Sequence, residues 1–489
     1  MVRLVLPEML YFCCMRYKFY SLLLLVIIGK QAVAQKWDLR KCIDYALANN
    51  ISIKQTDLQA RLAKINAYQS KLSQYPNASF SANGSYNSGR NQDPTSFSLI
   101  TQSYLAANMQ LQSSAEIFNW YSKRNTISAN AWELQAALAN SEKIRNDIAL
   151  TIANVYLQVL LSKEQEKIAE VQLQQSQAQY QNTRKLVDAG SLPELNASEL
   201  EAQVARDSAT LINARGNTIQ NTLSLKAYMA LDAAAPFEVE TPDIEKIPVE
   251  KISDLQPDAV YASAIANLPQ QKFNDYKIKA AERNAAAAKG NMYPTLSAFG
   301  SLGSGYNSRA QEIVNSTKIM APIGNVSIGG TAYDVFPFNP FTDYTYGKQA
   351  FFSQLNQNFR QSIGLSVSVP IFNGGNLRSA YERSKVNVEN LQLQQQADNQ
   401  KLKQDIYQAY NSAMVALEKF NAGKKAVEAA ERSFGYSQKR YDVGMLGTFE
   451  LITNQNNLFN QRLQNSLNQY DYVFKMKVLE FYKGLGLKL

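Results

Sequence analysis

The chain has 489 residues, 45% of them hydrophobic, with a formal net charge of +9, three cysteines and no histidine. Its mean hydropathy of −0.31 excludes a bundle of apolar membrane helices, and without histidine there are no imidazole metal sites, triads or proton shuttles. No Gly-Lys-Ser/Thr phosphate loop occurs and no dense Lys/Arg block with interleaved aromatics, so no enzyme activity, cofactor, metal site or nucleic-acid partner is predicted.

The apolar run Phe19 to Ile28 is about half of the ~20 residues a spanning helix needs. It follows Arg16 and Lys18 and precedes Ala32-Val33-Ala34, the layout of a cleavable signal peptide over residues 1–34, with a short membrane anchor as the alternative. Cys13 and Cys14 would leave with it, so Cys42 alone remains and no internal disulfide is expected. No cysteine stands after the run where an N-terminal lipid would attach.

Beyond the leader the chain reads as one unit written twice, over 35–231 and 257–489. Tyr75-Pro76-Asn77-Ala78-Ser79 recurs as Tyr293-Pro294-Thr295-Leu296-Ser297, Ile117-Phe118-Asn119 recurs as Ile371-Phe372-Asn373, and the turn at Gly190 recurs at Gly444. Asn119 to Gly190 and Asn373 to Gly444 are both 71 residues apart, so the two copies should carry helices of equal length.

Each copy opens with helical periodicity, over 38–74 and 254–292; Ile43, Leu47, Leu58, Leu62 and Ile65 mark the first. The Tyr-Pro pairs end these helices, because the residue before proline is pushed toward extended geometry. Strands are expected at 78–88 and 101–117, and at 295–307 and 360–372. In the last, Ile363, Leu365, Val367, Val369 and Ile371 alternate with small polar residues over a length suited to crossing a bilayer. The alternation taken alone fits a soluble hairpin equally. Tyr75, Phe118, Trp120, Tyr121, Tyr293, Phe372 and Tyr381 gather at the strand-helix junctions, either as an interfacial aromatic belt or as junction packing. Four strands cannot close a barrel and an open edge is not tolerated in lipid, so spanning strands must be pooled; three copies give twelve.

Long helices are expected at about 120–186 and 374–440, each roughly 100 Å, with return helices at 194–231 and 448–486 as antiparallel coiled partners. In the first, Ile144, Ile148, Ile152, Val155 and Val159 form the apolar stripe. Gly190 and Gly444 should stop the long helices, and Ser191 and Thr448 should cap the helices that follow. Residues 232–256, with Pro236, Pro242 and Pro248, form a linker between the halves. An insertion at 308–358 falls between two strands of the second copy and belongs on the external side. It reads as a packed surface loop, with constriction of the mouth or contact with a surface partner as alternatives.

The duplicated Tyr-Pro junctions, the run Val369-Pro370-Ile371-Phe372-Asn373-Gly374-Gly375 before the second long helix, and two Gly turns each followed six residues on by a polar position form an ordered set. Together they resemble the TolC-like outer-membrane efflux protein family, or outer membrane factors, over essentially the whole mature chain. The resemblance implies a mostly α protein with a membrane β-barrel part: a homotrimer with a twelve-stranded barrel in the outer-membrane lipid of a Gram-negative cell and a periplasmic helical tunnel. It further implies an equatorial belt at 232–256, a periplasmic adaptor (membrane fusion) protein and an inner-membrane pump of the RND or ABC type, as in tripartite efflux or type I secretion.

The resemblance also implies closure of the tunnel by an acidic ring and polar ties beside the turns. Glu450, six past Gly444, keeps the carboxylate; Asn196, six past Gly190, does not; Tyr441 matches a tie-forming tyrosine; Leu446 stands where an arginine partner is expected. Three Glu450 carboxylates around one opening would favour cations and bind divalent metal, whereas a lone Glu at a helix start is equally a solvated side chain favoured by the helix dipole. Gating is therefore expected on the second half. Gly190, Leu192, Gly444 and Leu446 are candidates for adaptor contact, the leucines otherwise packing their own hairpins. The competing functions are a structural or adhesive coiled-coil protein that carries nothing and a passive porin, against which the long helices argue. The exported substrate is left open.

Overall fold

A computed structural model describes residues 36–92, 97–241 and 249–484. The expected signal peptide, and Pro242 and Pro248 of the linker, lie outside the described residues. The chain divides into two compact units, one of residues up to 63, 134–277 and 390 onward, the other of 64–133 and 278–389. Among the described residues no helix is long and apolar enough to cross a membrane.

The duplication is present in the elements. The first copy runs β1 (Lys36–Trp37), α1 (Leu39–Asn49), α2 (Ile51–Leu72), β2 (Asn77–Gln92), β3 (Leu99–Phe118), α3 (Ser122–Asp188) and α4 (Glu194–Met229). After β4 (Glu238–Val239), the second runs α5 (Pro257–Asn267), α6 (Pro269–Gly290) and β5 (Thr295–Asn307), and resumes with β10 (Arg360–Ser368), α8 (Asn376–Asp442) and α9 (Thr448–Lys483). Both long helices have 67 residues and both return helices have 36. The equal spacing read in the sequence is therefore an equality of helix lengths.

Three expectations need correction. The opening helix of each copy is two helices: Asn50 interrupts the first, its Oδ1 accepting from Ser52 N at 2.8 Å, and Leu268-Pro269 interrupts the second because proline clashes with a continuing turn. The helical spacing of Leu58, Leu62 and Ile65 holds in α2, where these three are exposed in the single chain and Ile53, Ala60 and Ala67 are buried. The strand expected at 360–372 stops at Ser368, since Pro370 has no N–H to donate to the ladder. The insertion at 308–358 is not a packed loop. It is a ribbon arm, in which β6 (Gln311–Ile319) pairs with β9 (Phe341–Lys348) and β7 (Gly324–Ile328) with β8 (Thr331–Val335), followed by α7 (Phe351–Gln357).

Among the described residues of the first unit, two larger cores and a smaller cluster of Ala169, Leu211 and Ala214 are buried. Leu39, Cys42 and Ala46 of α1 pack with Ile152, Tyr156, Val159 and Leu160 of α3, Leu225 and Met229 of α4, and Tyr470 of α9. Leu255, Val260 and Ala264 pack with Ile406 and Ala413 of α8 and Met476 and Leu479 of α9. Burial, with a smaller contribution from the Asp38 charge, pushes the Cys42 thiol up to about 12, which leaves it unreactive. At residue 250 of the linker, Glu250 N donates to Glu480 Oε1 at 2.9 Å, and Glu480 Oε2 in turn meets Lys477 Nζ of the same helix at 2.8 Å, both side chains buried.

In the second unit, apart from the ribbon arm, the strands form a four-stranded antiparallel sheet in the order β10-β5-β3-β2. Register sorts its side chains by chemistry. The pairs Phe80↔Leu111, Tyr86↔Leu105, Leu111↔Leu302, Leu365↔Ala298 and Val367↔Leu296 lie on one face; Ser81↔Gln110, Asn83↔Asn108, Gln112↔Ser301 and Ser362↔Ser301 lie on the other. The apolar face is uncovered, Ile363 being 94% exposed.

At the junction in this unit, Phe118, Trp120, Tyr121 and Tyr293 form a ring cluster with centroids 5.0–5.8 Å apart. Tyr75 and Phe372 are strongly exposed instead, and Tyr381 has Lys385 Nζ 5.7 Å above its ring. Trp120 and Tyr121 adopt φ of 50° and 61°, where the equivalent residues of the second copy are Gly374 and Gly375 at 66° and 78°. The first copy thus bears backbone strain, on the order of 1 kcal/mol per residue, that the second avoids with glycine; ring packing of comparable size offsets it. Gly290 lets α6 end against this turn: a Cβ there would lie 2.9 Å from Trp120 O and 3.0 Å from Ser122 Cβ. Gly290→Ala is expected to destabilise the protein by about 1–3 kcal/mol through this overpacking, read as a lower denaturation midpoint in detergent.

Candidate functional site: the hairpin tips

Each long helix ends in a left-handed glycine, Gly190 and Gly444 both at φ 73°. Ser191 N donates to Leu186 O and Met445 N to Arg440 O, each at 2.8 Å, so the last turn closes through the same six-to-one bond in both copies. The return helices begin differently from expectation. The N-cap positions are Pro193 and Gly447, and neither supplies a side-chain bond; Thr448 is the first helical residue and is buried. In place of a cap, Arg184 bridges the first tip, pairing with Asp188 at 3.0 Å and with Glu194.

The predicted site residues fall in distinct settings. Tyr441 is half-buried and its hydroxyl lies 2.9 Å from Thr183 Oγ1 of the other hairpin. Glu450 is exposed in the first turn of α9, its backbone carbonyl accepting from Asn454 Nδ2; Asn196 is half-buried in the first turn of α4. Gly190 and Gly444 are exposed at the tips and Leu192 is half-buried. Leu446 is only 8% exposed, so the apolar surface of the tips is carried by Leu195, Val443, Met445 and Phe449.

Thr183–Tyr441 is one rung of a polar seam that joins the two hairpins. Gln179 Nε2 donates to Gln438 Oε1 at 3.0 Å, and Gln203 Nε2 donates to Asn456 Oδ1 at 3.1 Å. Gln203 Nε2 also reaches Asp207 Oδ1 at 2.8 Å, Ser176 donates to the other oxygen of Asp207, and Arg206 donates to Gln203 Oε1. The cross-hairpin rungs are amides and hydroxyls, not opposite charges. Such bonds are worth about 0.5–1.5 kcal/mol each and respond little to salt, unlike exposed ion pairs.

Of the seam, Tyr441 alone is singled out in the sequence. The signal for the rest was available: Gln172, Ser176, Gln179 and Thr183 recur at spacings of four, three and four, the seam positions of a coiled coil, occupied here by polar side chains. Among the described residues no group of His, Cys, Asp and Glu is arranged to hold a metal ion.

In the second unit the polar face of the sheet lines a concavity of about 1070 Å³ with Asn108, Gln110, Ser301, Asn358, Arg360 and Ser362. A sheet apolar on one face and polar on the other is the pattern of a barrel wall between lipid and water.

Comparison with known proteins agrees with this geometry. BepC of Brucella suis biovar 1, an outer membrane efflux protein, is 22% identical over 438 residues, 88% of this chain and 82% of its own. TtgC of Pseudomonas putida, the outer membrane protein of a toluene efflux pump, is 21% identical over 86% of this chain and 77% of its own. Among solved structures, the Campylobacter jejuni CmeC outer membrane channel superposes with a TM-score of 0.73 at 16% identity, covering 92% of this chain and 86% of its own. A crystal structure of CusC gives 0.73 at 14% identity, over 91% of each chain. The family of outer membrane efflux proteins matches residues 42–231 and again 260–482, once for each copy of the repeat, and the chain belongs to that family.

Proposed function

We propose that three copies of this chain assemble into the outer-membrane exit duct of a tripartite efflux or type I secretion system, closed at its periplasmic end by the hairpin tips. The observation that carries this reading is the sheet. It has an uncovered apolar face, a polar face, and two open edges at β2 and β10. In hydrocarbon each unpaired backbone group costs several kcal/mol, so β10 of one copy must pair with β2 of the next, and three four-stranded sheets close a twelve-stranded barrel. The mature protein then resides in the outer membrane, delivered by the signal peptide at 1–34, and its tips are free to meet a periplasmic adaptor coupled to an RND or ABC pump. The duct supplies no energy; the pump does.

Adaptor contact falls on the exposed tip surface around Gly190, Leu192 and Gly444, with Val443, Met445 and Phe449 taking the part that Leu446, turned inward, does not. The seam holds the hairpins together in the closed state, and Tyr441 ties to Thr183 without an arginine. Glu450, exposed at the start of α9, forms the acidic ring of the aperture, and the equivalent Asn196 adds no charge.

Deleting the gene should sensitise the cell to the pump's substrates only when the adaptor is present; unchanged efflux in both backgrounds would leave a structural coiled-coil protein as the better reading. In planar bilayers, Tyr441→Phe and Thr183→Val should each raise the conductance of the closed duct, with the double variant no more open than either single one, because all three lose the same bond. Glu450→Gln should lower cation selectivity and weaken block by divalent cations while the conductance itself changes little. A passive porin would instead be fully open in wild type and indifferent to all three substitutions.

A further inference from the structure

The arm between β5 and β10 is built, not slack. Gln311 pairs with Lys348 at its base, where Gln349 N also bonds Ala310 O at 3.0 Å. Its end turns on Gly329 and Gly330, both with positive φ (61° and 88°), the two-residue turn whose twist matches a hairpin.

Register makes the distal ribbon amphipathic. Val326↔Tyr333, Ile328↔Thr331 and Gly324↔Val335 share one face, and Asn325↔Asp334 and Ser327↔Ala332 share the other. Val326, Ile328, Tyr333 and Val335 are all exposed, and the adjoining Phe338 is 100% exposed. A lone two-stranded ribbon is marginal in water at best, and one with a bare apolar face is less favourable still. Natural sheets guard such edges with charge, yet between Lys318 and Asp343 the arm carries only Asp334. The ribbon is therefore made to be covered.

The connections say what covers it. The arm leaves from β5 and returns through α7 to β10, the strand whose free edge must pair with the next copy. Every copy brings its arm to the same side of the barrel around one three-fold axis. The arm's charges, Arg309, Lys318 and Lys348 against Glu312, Asp334 and Asp343, balance, so identical arms meet without net repulsion.

Resting on the trimeric duct, we propose that the β7–β8 ribbons of the three copies pack their apolar faces on one another and cap the external mouth. The occupant of the apolar face is a second copy of this chain, in a closed rotational contact. A solute larger than the gaps between the arms leaves only when the cap parts, so the duct carries an external barrier in addition to its periplasmic one.

Cysteine cross-linking in the assembled protein tests this cleanly, because Cys42 is buried and unreactive. Val326→Cys, oxidised with copper phenanthroline in outer-membrane vesicles, should convert about two of every three chains to a covalent dimer, since one of three thiols at a three-fold axis is left over. Ser327→Cys, on the polar face, should remain monomeric on a denaturing gel. Replacing 311–348 by Asn-Gly should leave the heat-sensitive trimer band intact and raise single-channel conductance severalfold. Loss of the trimer band in wild type would defeat the trimeric reading itself. An intact trimer in which Val326→Cys does not cross-link, or in which removing the arm leaves conductance unchanged, overturns the cap. Quenching of a fluorophore on Val326→Cys by brominated lipid, without cross-linking, would overturn it in favour of a membrane-lying arm.

Discussion

Backbone hydrogen bonding at the edge of a sheet governs this protein. Four strands leave two rows of N–H and C=O groups without partners, a condition that water tolerates and hydrocarbon does not. The sheet β10-β5-β3-β2, apolar on one face and polar on the other, has the side-chain pattern of a lipid-facing wall but not the closure. In the trimer we propose, closure comes from the other copies. The duplicated elements, a long helix of 67 residues and a return helix of 36, occur once per copy of the repeat. Leu58, Leu62 and Ile65 on α2 are left bare in the single chain.

The duplication is close in geometry and loose in chemistry. Both tips turn through a glycine at the same φ and the same backbone bond, yet one is braced by Arg184 with Asp188 and Glu194, and the other buries Leu446 and Thr448. Both junctions enter their long helix through two left-handed residues, Gly374-Gly375 in the second copy and Trp120-Tyr121 in the first. The geometry is shared because both copies meet the same packing problem. The chemistry diverges because only one aromatic cluster, Phe118, Trp120, Tyr121 and Tyr293, offsets the strain in place of glycine.

Polar side chains at coiled-coil seam positions have a distinct physical consequence. Apolar side chains at Ser176, Gln179, Thr183 and Gln203 would pack the hairpins more strongly and hold them more permanently. Amides and hydroxyls give a join of a few kcal/mol at most, which water can replace bond for bond. A gate of the kind proposed here would need that property. Its neutrality keeps it insensitive to the ionic strength of the compartment.

Much of this was legible from residue order. Tyr-Pro pairs predicted the helix-to-strand changes because proline restricts its predecessor. Alternation at Ile363, Leu365 and Val367 placed the last strand, and equal spacing predicted equal helices. These are local or counting arguments, and they depend on no distant partner. Other features depended on what lay across the fold. That Asn50 breaks the first helix depends on its bonds to Ser52 N and Tyr228 O. The pairing of Thr183 with Tyr441, 258 residues apart, depends on two hairpins lying side by side. The inward turn of Leu446 was a matter of packing. The arm at 308–358 stands between the two cases. Its Gly329-Gly330 turn was written in the sequence, but its proline-rich and aromatic centre masked the strands, and only their register showed that one face is apolar and bare. Sequence determined the periods and the stops, because those follow from covalent geometry and side-chain shape. Tertiary structure decided the partners, because hydrogen bonds and buried surface belong to pairs of residues that residue order does not bring together.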